Sequence, residues 1–223
     1  MLRLAIASAS LLLVLAPAAG GSERVRADSQ IWALDIATRD VHHFTQKPGD
    51  YDLGRLSWAP DGTRAAVIES GDKGDGIRER IVLLSRSGHV VRRLWATYNL
   101  MSYVTWSATG RRLLVEVEHP SDSDYEDDVM ARNRWLSTVG AGGGGRHVLT
   151  HNAHGAGWSP AGERVAYVAG FGAHRRVVVS SSSGSKSRVL ATGERLVFTA
   201  WSRDGSYVFY EQRKPRDPDA DFE

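Results

Sequence analysis

Four times the chain places a Trp, steps four residues to a Gly, and continues into an apolar strand. The copies read LSWAPDGTRAAVIES (56–70), VTWSATGRRLLVEVE (104–118), AGWSPAGERVAYVAG (156–170) and TAWSRDGSYVFYEQR (199–213). Their tryptophans, Trp58, Trp106, Trp158 and Trp201, are 48, 52 and 43 residues apart. A repeat of that length is one supersecondary unit, too short for an independent domain and close to the period of a four-stranded propeller blade. Between Trp and Gly the copies vary (APDG, SATG, SPAG, SRDG), and only Gly62, Gly110, Gly162 and Gly205 recur in all four. Gly is what a turn needs where φ must be positive, so Trp and Gly read as structural repeat residues rather than as a payload.

Each unit divides into four short strand candidates separated by Gly, Asp, Ser or Pro, residues that form turns for separate physical reasons. The expected strands are 56–59, 64–69, 81–86 and 90–96, then 103–107, 113–118, 134–139 and 146–150, then 155–159, 165–169, 176–180 and 187–191. Runs such as RIVLLS and RVVVS are apolar on both faces. That suits sheets stacked between two neighbours better than a sandwich with one wet face. The expected fold is all-β, a propeller of about four four-stranded blades.

The units resemble the TolB-like, WD40-like β-propeller repeat, in which a strand ending Trp-Ser-Pro-Asp-Gly precedes a strand like RIAF and one of the IWALD kind. Ile31–Asp35 reads IWALD, and Val41–Thr45 follows as the fourth strand. The resemblance covers nearly all of residues 29–212. It implies a fold and not an activity, since the repeat occurs in periplasmic scaffolds and in the gate domains of prolyl oligopeptidase-type enzymes alike. The chain opens on strands three and four (31–45) and closes on strands one and two (198–202 and 207–212). Pairing Ile31–Ile36 with Tyr207–Gln212 would make the N- and C-terminal strands share one blade and remove open edges. Family members more often have six blades or more, so the alternative is an open array that closes by self-association.

At the N-terminus, MLRLAIASASLLLVLAPAAGGSE has a short basic start, an apolar run over Leu4–Leu15 and small residues at Ala16–Ala18. This reads as a signal peptide over 1–18, followed by a short linker over 19–28, and it predicts an exported protein, periplasmic or extracellular. The apolar run is shorter than the roughly 20 residues a spanning helix needs, so no membrane span is expected after cleavage. The chain has no Cys, which leaves packing to hold the fold. Its 28 basic and 26 acidic residues are interspersed, without the basic stripe of a nucleic-acid binder. The tail 213–223, RKPRDPDADFE, is rich in Pro and charge and is expected to be disordered.

Function in a propeller belongs to the loops joining strand two to three and strand four to one, which share one face. The loop HPSDSDYEDDVMARN (119–133) gathers Asp122, Asp124, Glu126, Asp127 and Asp128. Carboxylates this dense could bind Ca²⁺, a hard cation that takes several oxygens, but the loop fails the EF-hand spacing, with Asp127 where Gly is required and Asn133 where a bidentate Glu is required. It reads as a solvated acidic loop or a patch for a partner. RHVLTHNAHG places His147 on a strand and His151 and His154 in the loop after it, with His174 on a nearby loop. Three loosely spaced His without Cys do not make a zinc site. GWSPA at 157–161 lacks the last Gly of a hydrolase elbow and is followed by a strand, so Ser159 is a repeat position. AGGGGR at 141–146 is a turn rather than a phosphate loop. Candidate binding residues are therefore Asp122, Asp124, Glu126, Asp127, Asp128, His151 and His154, with no catalytic residue, metal or cofactor indicated. The expected partner is a protein or a glycan, and the alternative is a non-catalytic or truncated propeller domain of a prolyl oligopeptidase-type hydrolase, or a propeller enzyme with a site at the channel mouth.

Overall fold

The computed structural model describes residues 31–44, 51–72, 77–119 and 134–212. The predicted leader (1–18), linker (19–28), tail (213–223) and acidic cluster (122–128) lie outside the described residues. Within them the chain is all-β apart from one 3₁₀ turn, Gly172–His174. The strands are β1 (Trp32–Leu34), β2 (Val41–His43), β3 (Tyr51–Trp58), β4 (Arg64–Asp72), β5 (Ile77–Ser85), β6 (Val90–Thr97), β7 (Leu100–Trp106) and β8 (Arg112–Glu118). They continue as β9 (Arg134–Gly140), β10 (His147–His151), β11 (Ala153–Trp158), β12 (Arg164–Ala169), β13 (Arg175–Ser181), β14 (Ser187–Gly193), β15 (Leu196–Trp201) and β16 (Val208–Gln212).

Three antiparallel four-stranded blades, β3–β6, β7–β10 and β11–β14, are each built as a simple meander. They are flanked by two half-blades, β1–β2 and β15–β16. The expected strand order holds in every unit, so the β-propeller architecture stands. The first strands begin earlier than sequence predicted, at Tyr51 and Leu100, because their backbones continue the ladder opposite Glu69 and Glu118. The stretch 70–80, expected as a loop, is mostly hairpin, since β4 and β5 pair out to Asp72 opposite Ile77.

The shared blade is not formed. β1 pairs with β2 and β16 with β15, in separate sheets. Each half packs on its neighbouring blade instead. Ile31, Ala33 and Phe44 of the N-terminal half-blade are buried against Ala65, Val67, Val82 and Leu84 of the first blade. Leu196, Phe198 and Val208 of the C-terminal half-blade pack with Val168 and Val177 of the third blade. Each half is thus docked at its own end of the array.

The Trp–Gly repeat explains how the blades join. Each repeat Gly has φ between +65° and +73° and closes its turn by donating its N–H three residues back, Gly62 to Ala59, Gly110 to Ser107, Gly162 to Ser159 and Gly205 to Ser202. The last three indoles each reach the previous blade. Trp106 Nε1 donates to the Ser57 carbonyl at 3.0 Å, Trp158 Nε1 to Thr105 at 3.2 Å and Trp201 Nε1 to Gly157 at 3.0 Å. The acceptor is in every case the residue before the preceding Trp. Arg64 and Arg164 lie over the next blade's Trp106 and Trp201, 5.2 and 5.3 Å from the ring centroids, and reinforce two of these joints through cation–π attraction.

Candidate functional site

The turn end of each blade is occupied by its own structure. The hydroxyls of Ser107, Ser159 and Ser202 accept the backbone N–H of Arg112, Arg164 and Tyr207. Ser159 is buried, so the hydroxyl of the elbow-like GWSPA closes a turn, as its repeat position implies. Asp61 accepts from the Thr63 N–H and hydroxyl, which hold its carboxyl below the usual range. In the last copy Asp204 accepts from the Ser202 hydroxyl and the Ser206 N–H and is held at about 2. The glycine-rich segment 141–146 is the expected turn between β9 and β10, and it bridges outward. Arg92 donates to the Gly142 carbonyl and Arg112 to that of Gly145.

The opposite end, the loop face, differs from blade to blade. On the first blade, Glu69 pairs with Arg80 at 3.3 Å and with Arg93 at 3.4 Å. Arg78 lies over the exposed ring of Tyr98, 5.6 Å from its centroid. On the second blade, Arg134 bridges Glu118 at 3.0 Å and Glu116 at 3.4 Å, and Ser102 donates to Glu116 at 3.0 Å. Burial pushes the Glu116 carboxyl up, against the opposing pull of Arg134 and Ser102. Glu79 is also buried and accepts the Met101 N–H, which ties the first blade to the innermost strand of the second. On the third blade this edge carries the 3₁₀ turn with His174, and Arg175 donates to the Leu196 carbonyl.

The predicted histidine group is divided. His147 and His151 stand at the two ends of β10, about 13 Å apart at the rise of a strand. His151 closes that strand instead of lying in a loop, and its exposed ring is 6.4 Å from Trp135. His154 belongs to β11. Among the described residues no three His, Cys, Asp or Glu are gathered as a metal site. Sequence reasoning missed the loop-face ion pairs. Their signal is present as charged residues directly opposite at the outer ends of β-ladders, Glu69 with Arg80 and Glu118 with Arg134. No helix among the described residues is long and apolar enough to cross a membrane.

No family model matches the chain, and no curated protein matches it. Solved structures do. An oligogalacturonate lyase from Vibrio parahaemolyticus is 14% identical with a TM-score of 0.59, over 80% of this chain and 52% of the lyase. The acylaminoacyl peptidase of Pyrococcus horikoshii is 14% identical with a TM-score of 0.57, over 81% of this chain and 30% of the peptidase. TolB from Acinetobacter baumannii is 23% identical with a TM-score of 0.48, over 74% of this chain and 38% of TolB. The chain thus spans about half or less of the length of each, and what it shares with the lyase and the peptidase is the β-propeller fold.

Proposed function

We propose that this chain is an exported β-propeller scaffold, without catalytic activity of its own, that binds a protein partner or a glycan through its loop face. The observation that carries this reading is the contrast between the two ends of the blades. At the turn end the polar groups are taken up by bonds within their own turns: Asp61 with Thr63 in the first repeat, and the hydroxyls of Ser107, Ser159 and Ser202 in the others. At the loop face each blade presents a different set: Arg78 on Tyr98, then Arg134 and Glu118 over the buried Glu116, then His174. Varied polar and aromatic groups on a rigid frame are what recognition requires. The apolar leader with its small-residue cleavage site supports export.

Site-specific photo-crosslinking in the envelope of the producing cell tests this. A crosslinker replacing the exposed Tyr98 or His151 is expected to capture a discrete adduct, and one replacing the exposed Arg203 at the turn end is not. Adducts from both ends equally, or from the turn end alone, would overturn the reading.

A further inference from the structure

The two half-blades expose the positions that the complete blades bury. In all three complete blades the second strand pairs with the third in one register, counted from the Trp. Arg64 faces Ser85, Arg112 faces Gly140 and Arg164 faces Ser181, and the next three positions along each second strand face Leu84, Leu83 and Val82, then Val139, Thr138 and Ser137, then Ser180, Val179 and Val178. Among the described residues β16 is a second strand that pairs with no third, and β1 is a third strand that pairs with no second. Applied to them, the register sets Tyr207 opposite Asp35, Val208 opposite Leu34, Phe209 opposite Ala33 and Tyr210 opposite Trp32. Phe209 and Tyr210 are 53% and 44% exposed, whereas Leu114 and Val115 at the same positions of the second blade are 0%. Trp32 is 40% exposed, and its equivalent Val82 is 0%.

Two further features fit the same occupant. A cavity of about 540 Å³ lies between the third blade and the C-terminal half-blade, lined by Val179, Leu190, Lys186, Arg188 and Trp201 among others. In the preceding joints this place holds the next blade's turn between strands three and four. Leu94 and Leu149, equivalent to Leu190, sit there against Gly143 and Gly184, and Thr138, equivalent to Val179, donates to the Ser182 carbonyl. The β1–β2 turn has an exposed Ile36, equivalent to Ser182, flanked by Asp35 and Asp40. It offers an apolar tip and acidic shoulders to a cavity with basic walls. The innermost strands point the same way. The acceptor for a following Trp is the residue before the preceding Trp, which makes the exposed Ala200 carbonyl the counterpart for the Trp58 indole.

We propose that two copies of this chain associate head to tail, the β15–β16 half-blade of one completing a blade with the β1–β2 half-blade of the other. Three complete blades and one composite per copy give a ring of eight, the upper end of the usual propeller range of roughly four to eight. A third copy would exceed it. The two composite blades are related by a two-fold axis, so the assembly is closed, and both edges disappear.

The absence of Cys makes the test direct. Light scattering on the purified chain is expected to give twice the mass of one chain, and a monomer at 100-fold varied concentration, or an open-ended series of higher masses, overturns the proposal. Trp32→Cys and Tyr210→Cys chains mixed and oxidised are expected to form a crosslinked dimer that neither forms alone. The double variant in one chain is expected to crosslink between chains. An intramolecular disulfide instead means that the ring closes with four blades within one chain. Self-crosslinking of Tyr210→Cys alone means edge-to-edge pairing of like strands, and either result rejects the head-to-tail ring. Tyr210→Lys, at a site exposed in the single chain, is expected to abolish the dimer while leaving the far-UV circular dichroism spectrum unchanged.

Discussion

The second blade and the C-terminal half-blade are written in nearly the same sequence pattern, yet they place it in different environments. Val-Thr-Trp-Ser opens one and Thr-Ala-Trp-Ser the other, and both turn on a positive-φ Gly. In the second blade the strand after the turn is buried along its length, with Leu113, Leu114, Val115 and Val117 all at 0%. In the half-blade the matching strand keeps Phe209 and Tyr210 exposed. Local pattern sets the strand, the turn and the indole joint in both. Burial comes from the third and fourth strands, which only the complete blade has. A single chain is therefore firmest in its middle and weakest at its two ends.

The largest expected effect uses equivalent positions. Leu114→Ala empties a filled core site and should cost about 2–5 kcal/mol in urea unfolding. Phe209→Ala, measured in the monomeric Tyr210→Lys background, should cost about 0.5 kcal/mol or less, as surface changes do. Equal costs would mean that the half-blade is not exposed in the monomer.

The repeat glycines sharpen the contrast at the turns. A Cβ on Gly162 would stand 2.7 Å from the Ala108 nitrogen and 2.9 Å from that of Thr109, in the preceding blade's turn. On Gly62, which has no such neighbour, it would meet nothing within 4 Å. Both alanines carry the roughly 1–2 kcal/mol penalty of a left-handed backbone. Gly162→Ala should exceed Gly62→Ala by a further clear margin in thermal unfolding, because backbone must move. Of intermediate size is the indole joint. Trp158→Phe leaves the Thr105 carbonyl without its donor and should cost about 1 kcal/mol beyond the change in packing, whereas Trp58→Phe should lack this component in the monomer.

The smallest effect should not distinguish the two regions. Asp61 in the first blade and Asp204 in the half-blade are both held low by hydrogen bonds within their own turns. Their folded values lie below the unfolded one, so their stabilisation is present above the unfolded value of about 4 and is lost as pH falls through each folded value, about 2 for Asp204. Carboxyl resonances followed by NMR should titrate below the ordinary Asp range for both residues. Asp204→Asn should flatten the acid limb of the stability curve slightly.

Much of this was legible in the sequence. Trp and Gly spacing marked the repeat units along the chain, because the turn demands a positive φ at the same place in each. Reading Ser159 as a repeat position also held, since its hydroxyl closes a turn. Two features were not legible. The indole acceptor lies some fifty residues back in the chain and is a backbone carbonyl, which carries no residue signature. The open ends depend on how each half-blade packs, and a complete blade and a half-blade look alike when read strand by strand. At the candidate site, the paired charges at the ladder ends were visible only once the register was known. The His147–His154 spacing suggested a cluster that β10 pulls apart.

Hydrogen exchange of the four repeat indole N–H groups tests the blade-to-blade joint most directly. In the monomeric Tyr210→Lys variant the indoles of Trp106, Trp158 and Trp201 should be protected and that of Trp58 should exchange fastest. Protection of Trp58 equal to the others in that variant, or no protection at Trp106, Trp158 and Trp201, would contradict the account.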